Sequence, residues 1–139
     1  MLTIFSTPKP FRGHIGVIQR NAIQSWKRIH PDVEIILFGD EEGAAEVSRE
    51  FGLRHIPDAP KNEFGTKLLR GFFEPAQQMA RHPILCYVNC DIMLLPSFAT
   101  AIERVAARFE RFLIVGQRWN VDILEPWDFD SPGWDQRLD

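Results

Sequence analysis

The stretch Ile84-Leu85-Cys86-Tyr87-Val88-Asn89-Cys90-Asp91-Ile92-Met93-Leu94-Leu95 is a run of apolar, strand-forming residues with one carboxylate set near its far end. A carboxylate among such neighbours is costly unless it is paired, hydrogen-bonded or metal-bound. Side chains alternate with period two along a strand, so Asn89 and Asp91 should point to one side. The pair predicts two oxygen ligands at a strand end, where open α/β sheets hold their ligands.

Working outward, strand and helix patterns alternate. Leu2–Ser6 reads as a short strand, followed after a Pro8/Pro10/Gly13 loop by an amphipathic helix with Ile15, Ile18, Ala22, Trp26 and Ile29 on one stripe. Val33–Phe38 is a nearly all-apolar run of the kind buried on both faces. Ala44, Val47 and Phe51 predict a second helix stopped by Gly52, and Leu53–Ile56 a brief third strand. A helix is expected over about Gly65–Arg81, kinked or split by Pro75. Phe98, Ile102, Val105, Ala106 and Phe109 mark another helix, and Phe112–Gly116 a last strand.

This alternation predicts a Rossmann-like three-layer α/β/α fold with a mostly parallel sheet, in strand order 3-2-1-4 plus a following strand. The switch point then falls between strands one and four, so Thr7 and Asn89/Asp91 should flank one crevice.

At 139 residues the chain reads as one domain able to bury roughly two thirds of its unfolded surface. With 45% hydrophobic and 25% charged residues it is ordinary for a globular protein, which argues against disorder. A net charge of −3 supplies no basic field for nucleic acid. No apolar run reaches the ~20 residues of a membrane span. The start Met1-Leu2-Thr3-Ile4-Phe5 lacks the charged lead and long core of a signal peptide, so a cytoplasmic location is expected. Cys86 and Cys90 would stand roughly 13 Å apart along one strand, too far for a disulfide or a shared metal. His14, His30, His55 and His82 show no metal-ligand spacing.

The segment from Trp119 to Asp139 differs from the α/β domain of residues 1–118. It sets Trp119, Trp127 and Trp134 among acidic residues and prolines with no helical or strand period. Such a tail is expected to pack onto a partner or an absent neighbour.

Asp40 ends the second strand and suits either contact with a base or ribose or the capping of the next helix. Glu63-Phe64-Gly65-Thr66-Lys67 is expected to open a helix, where backbone N–H groups favour phosphate and Lys67 or Arg70 adds charge. The plainer reading makes Thr66 a cap and leaves both basic residues in solvent. A pyrophosphate in this crevice needs a counter-charge, which a divalent cation (Mn or Mg) on Asp91 would supply with help from phosphate oxygens.

Three pieces, Phe38-Gly39-Asp40, Asn62-Glu63-Phe64-Gly65-Thr66 and Tyr87-Val88-Asn89-Cys90-Asp91-Ile92, resemble the GT-A type glycosyltransferases, which bind nucleotide-diphospho-sugars. The likeness is greatest to a bacterial family-2-like branch in which a strand ends Tyr-Val-Asn-x-Asp-Ile, and it covers about residues 2–122. Asn89-Cys90-Asp91 matches that family's Asp-x-Asp metal motif with Asn in first place, leaving one carboxylate. By position, the resemblance implies that Thr7 and Pro8 line the nucleoside site, Asp40 lies near the base, and Asp91 meets metal and diphosphate. Gln117-Arg118-Trp119 would face the sugar or acceptor. The implied ligand is a UDP- or GDP-type nucleotide-sugar.

Members of the family continue through an acceptor-binding half that supplies the catalytic base, and nothing after residue 122 looks like it. The chain, whether a fragment or a naturally short relative, is therefore expected to bind nucleotide-sugar, with metal-assisted glycosyl transfer if an acceptor half is supplied and no catalytic residue assigned. An alternative is a non-catalytic module acting through a partner or through homodimerisation that buries Trp127 and Trp134. An oxidoreductase reading from Gly13-x-x-Gly16 and Asp40 lacks the full glycine fingerprint. Nucleotidyltransferases share the architecture, with Lys9 and Arg12 as a faint echo of their basic first loop.

Overall fold

A computed structural model describes residues 1–138. Four strands, β1 (Leu2–Ser6), β2 (Val33–Phe38), β3 (Arg54–Ile56) and β4 (Leu85–Tyr87), form one parallel sheet in the order β3-β2-β1-β4. Helices α1 (Gly13–Arg28), α2 (Ala44–Phe51), α3 (Arg70–Met79) and α4 (Pro96–Ala106) supply the outer layers. A 3₁₀ turn, Gln136–Leu138, comes last. The fold is α/β with the strand order expected.

Alternation along the central strands builds the two faces. Leu2, Ile4, Ile35 and Leu37 pack with Ala22, Ile23 and Trp26 of α1, Val47 of α2 and Ala99 of α4. Phe5, Ile36 and Phe38 point the other way, onto Phe72 and Ala76 of α3. Both faces of β1 and β2 are thus covered, as a near-continuous apolar strand requires. Helix α1 also anchors the chain beyond β4. Trp26 Nε1 donates to the Ile92 carbonyl at 2.8 Å, and Ser25 Oγ accepts from the Leu94 N–H at 2.9 Å.

The opposite, N-terminal end of the sheet carries an ionic cluster. Glu34 Oε2 accepts from Thr3 Oγ1 at 2.6 Å and from the Arg81 N–H at 2.7 Å, with Arg54 Nη1 at 3.7 Å from its other oxygen. Among the described residues, no helix is long and apolar enough to cross a membrane.

Several local expectations are corrected. Helix α3 starts at Arg70, not near Gly65. Asn62 is the reason: its side-chain oxygen accepts from the Phe64 and Thr66 N–H groups at 3.0 and 2.9 Å. Lys61 and Lys67 close an antiparallel bridge around that turn. Asn offers the backbone a local alternative to helix, and here the alternative wins. Once begun, α3 is continuous through Pro75.

The β4 ladder stops at Tyr87, and a turn closed by the Ile92 N–H on the Asn89 carbonyl at 3.1 Å follows. Strand alternation therefore does not extend to Asn89 and Asp91. The expected strand at Phe112–Gly116 is also absent. Leu113 is 88% and Val115 83% exposed, and no described residue hydrogen-bonds the backbone there. A strand exists only by pairing, whatever its propensity.

The tail packs on the chain itself. Phe129 and Trp134 are buried edge to face at 5.0 Å, Arg28 of α1 lies over Phe129, and Arg137 lies over Trp127. Only Trp119 of the three tail tryptophans stands free, at 93% exposure.

Candidate functional site

The C-terminal ends of β1, β2 and β4 open on one edge of the sheet. From β1 the chain passes through Thr7 and Pro8; from β2 it turns at Gly39 into Asp40 and Glu41; from β4 it reaches Asn89 and Asp91. The segment between β3 and α3 then lays a lysine across this edge. Lys67 Nζ donates to Thr7 Oγ1 at 2.5 Å and to the Pro8 carbonyl at 3.0 Å, and lies 2.8 Å from Glu41 Oε1. Its side chain is only 14% exposed, so the ammonium has exchanged most of its water for these three oxygens.

Gly39 makes the approach possible. Its φ of +115° is a conformation that L side chains rarely adopt, and a Cβ there would stand 2.8 Å from Lys67 Nζ. The Gly39 carbonyl is held by His55 Nε2 at 2.7 Å. Lys61, on the other side of the Asn62 turn, reaches Asp40 Oδ1 at 3.4 Å and Glu41 Oε1 at 3.8 Å.

Asp40 is exposed and does not cap a helix: α2 begins at Ala44 behind Gly43, with no side-chain cap. That removes the structural role its position suggested. A backbone amide hydrogen bond, then the charge and hydrogen bond of Lys61, hold its carboxyl below the usual range. The charge of Lys67 acts in the same direction, and it also favours the thiolate of Cys90. One ammonium is therefore felt at the ends of both β2 and β4.

Past β4, Ser6 Oγ donates to the Val88 carbonyl at 2.6 Å and keeps β1 and β4 together beyond their ladder. Asn89 and Asp91 are exposed, and Tyr87 Oη donates to Asn89 Oδ1 at 3.2 Å. The Asp91 carboxyl has no hydrogen bond or ion pair with any described residue. Cys90, behind it, is buried; burial first and the Asp91 charge second push its thiol up to about 12. Burial alone pushes Cys86 up to about 11. Neither thiol is a nucleophile at neutral pH.

Asn89 and Asp91 also border a groove of about 1320 Å³ along the open edge of β4, together with Tyr87, Phe73 and the extended run Gln117-Arg118-Trp119. The predicted residues thus fall into two adjoining regions. Thr7, Pro8, Asp40 and Lys67 gather at the ends of β1 and β2. Asn89, Asp91, Gln117, Arg118 and Trp119 gather along the groove. Gly65, Thr66 and Arg70 join neither. The amides of Gly65 and Thr66 are taken by Asn62 at 3.0 and 2.9 Å, and Arg70 pairs with Glu74 at 2.8 Å on an exposed helix face.

Neither family models, curated proteins nor solved structures match this chain. Its chemistry is read from the site alone.

Lys61 and Glu41 are functional candidates that the sequence reading passed over. A turn-forming Asn62-x-x-Gly65 flanked by two lysines was the available signal, because a short turn brings its flanks together. Among the described residues, no three His, Cys, Asp or Glu side chains group to hold a metal ion. A cation at Asp91 would need oxygens from its ligand and from water, as magnesium sites commonly do.

Proposed function

We propose that this chain binds a nucleotide-diphospho-sugar at the C-terminal edge of its sheet, as a GT-A-like glycosyltransferase domain. The observation carrying this reading is the Lys67 ammonium at the mouth of β1 and β2, with the open Asp91 carboxylate just beyond β4. A parallel sheet directs ligands to that edge. The cation suits a phosphate, and the carboxylate suits a divalent metal that the diphosphate would help to bind. On this reading Asp40 and Thr7 would accept from or donate to a nucleoside, and the groove beside Arg118 and Trp119 would take the sugar. If glycosyl transfer occurs, metal and ammonium would neutralise the charge building on the departing diphosphate. Two free, protonated thiols, Cys90 buried and Cys86 half-buried, fit a reducing cytoplasm.

Thermal melting tests the reading. UDP with manganese should raise the melting temperature by several degrees, since ligand at 100 times Kd adds about 2.7 kcal/mol. Stabilisation by NAD and none by UDP or GDP would overturn it.

A second reading, a module working through an interface, is favoured by the unpaired and exposed run 112–116 beside the open edge of β4. Trp127 and Trp134 no longer argue for it, since the chain takes up both. Sedimentation that stays monomeric at high protein concentration would remove self-association.

A further inference from the structure

Lys67 has three donor hydrogens and three oxygens at bonding distance: Thr7 Oγ1 at 2.5 Å, the Pro8 carbonyl at 3.0 Å and Glu41 Oε1 at 2.8 Å. An arriving anion can meet this ammonium in full only by displacing one of them. Thr7 and Pro8 sit on the rigid exit of β1 and are neutral. Glu41 is different. It carries a charge of the same sign as the ligand, lies in the turn between β2 and α2, and has a second lysine, Lys61, 3.8 Å from the same oxygen.

We propose that Glu41 is a built-in competitor for anions at this mouth: it occupies the ligand-binding side of Lys67 in the free protein and yields it to a phosphate group. The displaced carboxylate moves to Lys61, so neither charge is left unpaired during the exchange. When the anion leaves, Glu41 returns and closes the site. Affinity for a diphosphate is thereby held down, which favours release of a nucleoside diphosphate product. The identity of that product rests on the nucleotide-sugar reading; the exchange rests on the geometry of Lys67 alone.

The rival is a static strap, in which the Glu41–Lys67 pair only fastens the 57–69 segment to the sheet. The two differ in sign. Neutralising a competitor strengthens anion binding, whereas cutting a strap weakens it.

Calorimetric titration with inorganic pyrophosphate, and separately with UDP, decides between them. Glu41→Gln should bind pyrophosphate about two- to fivefold more tightly than the wild type, the range expected from loss of one partly exposed ion pair. The gain should shrink as salt rises, and Lys67→Met should abolish binding in both backgrounds. Glu41→Asp, whose shorter carboxylate falls back from Lys67, should also bind more tightly and serves if the Gln variant melts early. Equal or weaker pyrophosphate binding by both Glu41 variants overturns the exchange. So does the absence of pyrophosphate binding in all the proteins. If pyrophosphate follows the expected order but UDP binds no better than pyrophosphate, the exchange stands and the nucleotide reading falls.

Discussion

The side chain of Asn21, buried on α1, accepts from the Trp127 N–H at 2.9 Å and donates to the Glu125 carbonyl at 3.0 Å. One amide thus pins the aromatic tail to the first helix across more than a hundred residues of chain. Truncating it strands two backbone groups of the tail, and a lost buried hydrogen bond of this kind costs about 1–3 kcal/mol. Asn21→Ala should therefore lower stability by about that amount in urea unfolding. It should also make the segment after Glu125 the first to be cut in limited proteolysis. A variant that resists protease as the wild type does would show that the Phe129–Trp134 pair holds the tail unaided.

Gly39→Ala should be destabilising out of proportion to one methyl group. The residue holds φ at +115°, and the new Cβ would meet the Lys67 ammonium at 2.8 Å. Strain of this backbone type costs about 1–3 kcal/mol. The clash with the ammonium, unlike the backbone strain, can be relieved by Lys67 swinging out, so pyrophosphate affinity should fall along with melting temperature. The substitution Gly52→Ala is the control. It shares a positive φ but has open space around its Cβ, and it should affect stability alone.

Much of the architecture could be read from the chain because it follows from local pattern. Val33–Phe38 is apolar but for Glu34 near its start and lies inside the sheet; the stripe from Ala22 to Trp26 faces the core as its spacing requires. The misplaced features depend on competition or on distant partners. Asn62 captures the amides of Phe64 and Thr66 before a helix can form at Gly65, and hydropathy is blind to that contest. Phe112–Gly116 has strand-forming residues yet does not pair with the open edge of β4, which no local signal reports. Strand ends put Thr7, Asp40 and Asp91 at the same end of the sheet, because topology alone does so, but Thr7 and Asp91 fall in two adjoining regions and not in the one crevice expected. Lys67 joins Thr7 across sixty residues, and only the folded loop shows that Glu41 and Lys61 come with it.

Acid sensitivity should concentrate at the far end of the sheet, on Glu34. Burial opposes its ionisation, but the hydrogen bonds from Thr3 and the Arg81 N–H, with the charges of Arg81 and Arg54, outweigh it and leave the pKa below its ordinary 4.5. A folded-state value below the unfolded one means that the unfolded chain binds the proton more readily. The contribution is thus fully present above pH 4.5 and is lost as pH falls through the folded value. Urea midpoints of the wild type should drop more steeply between about pH 5 and pH 3 than those of Glu34→Gln. Parallel curves would place the acid-sensitive group elsewhere.

Asp91 lends itself to a clean substitution, because its carboxyl is exposed and none of the described residues bonds to it. Asp91→Asn should leave stability within about 0.5 kcal/mol of the wild type, as for surface changes away from special contacts. Its charge is nevertheless felt locally. Burial chiefly, and the charges of Cys90 and Asp91 after it, raise the Tyr87 phenol, so the variant should titrate that phenol at lower pH. That shift, read by ultraviolet difference spectra, shows whether the carboxylate stands where the fold puts it, independently of any ligand. If Asp91 holds a cation against a diphosphate, the same variant should lose the manganese-dependent part of stabilisation by UDP and keep the part that depends on Lys67. A variant with the shifted phenol and full manganese dependence would place the metal on the phosphates alone, with no protein carboxylate required.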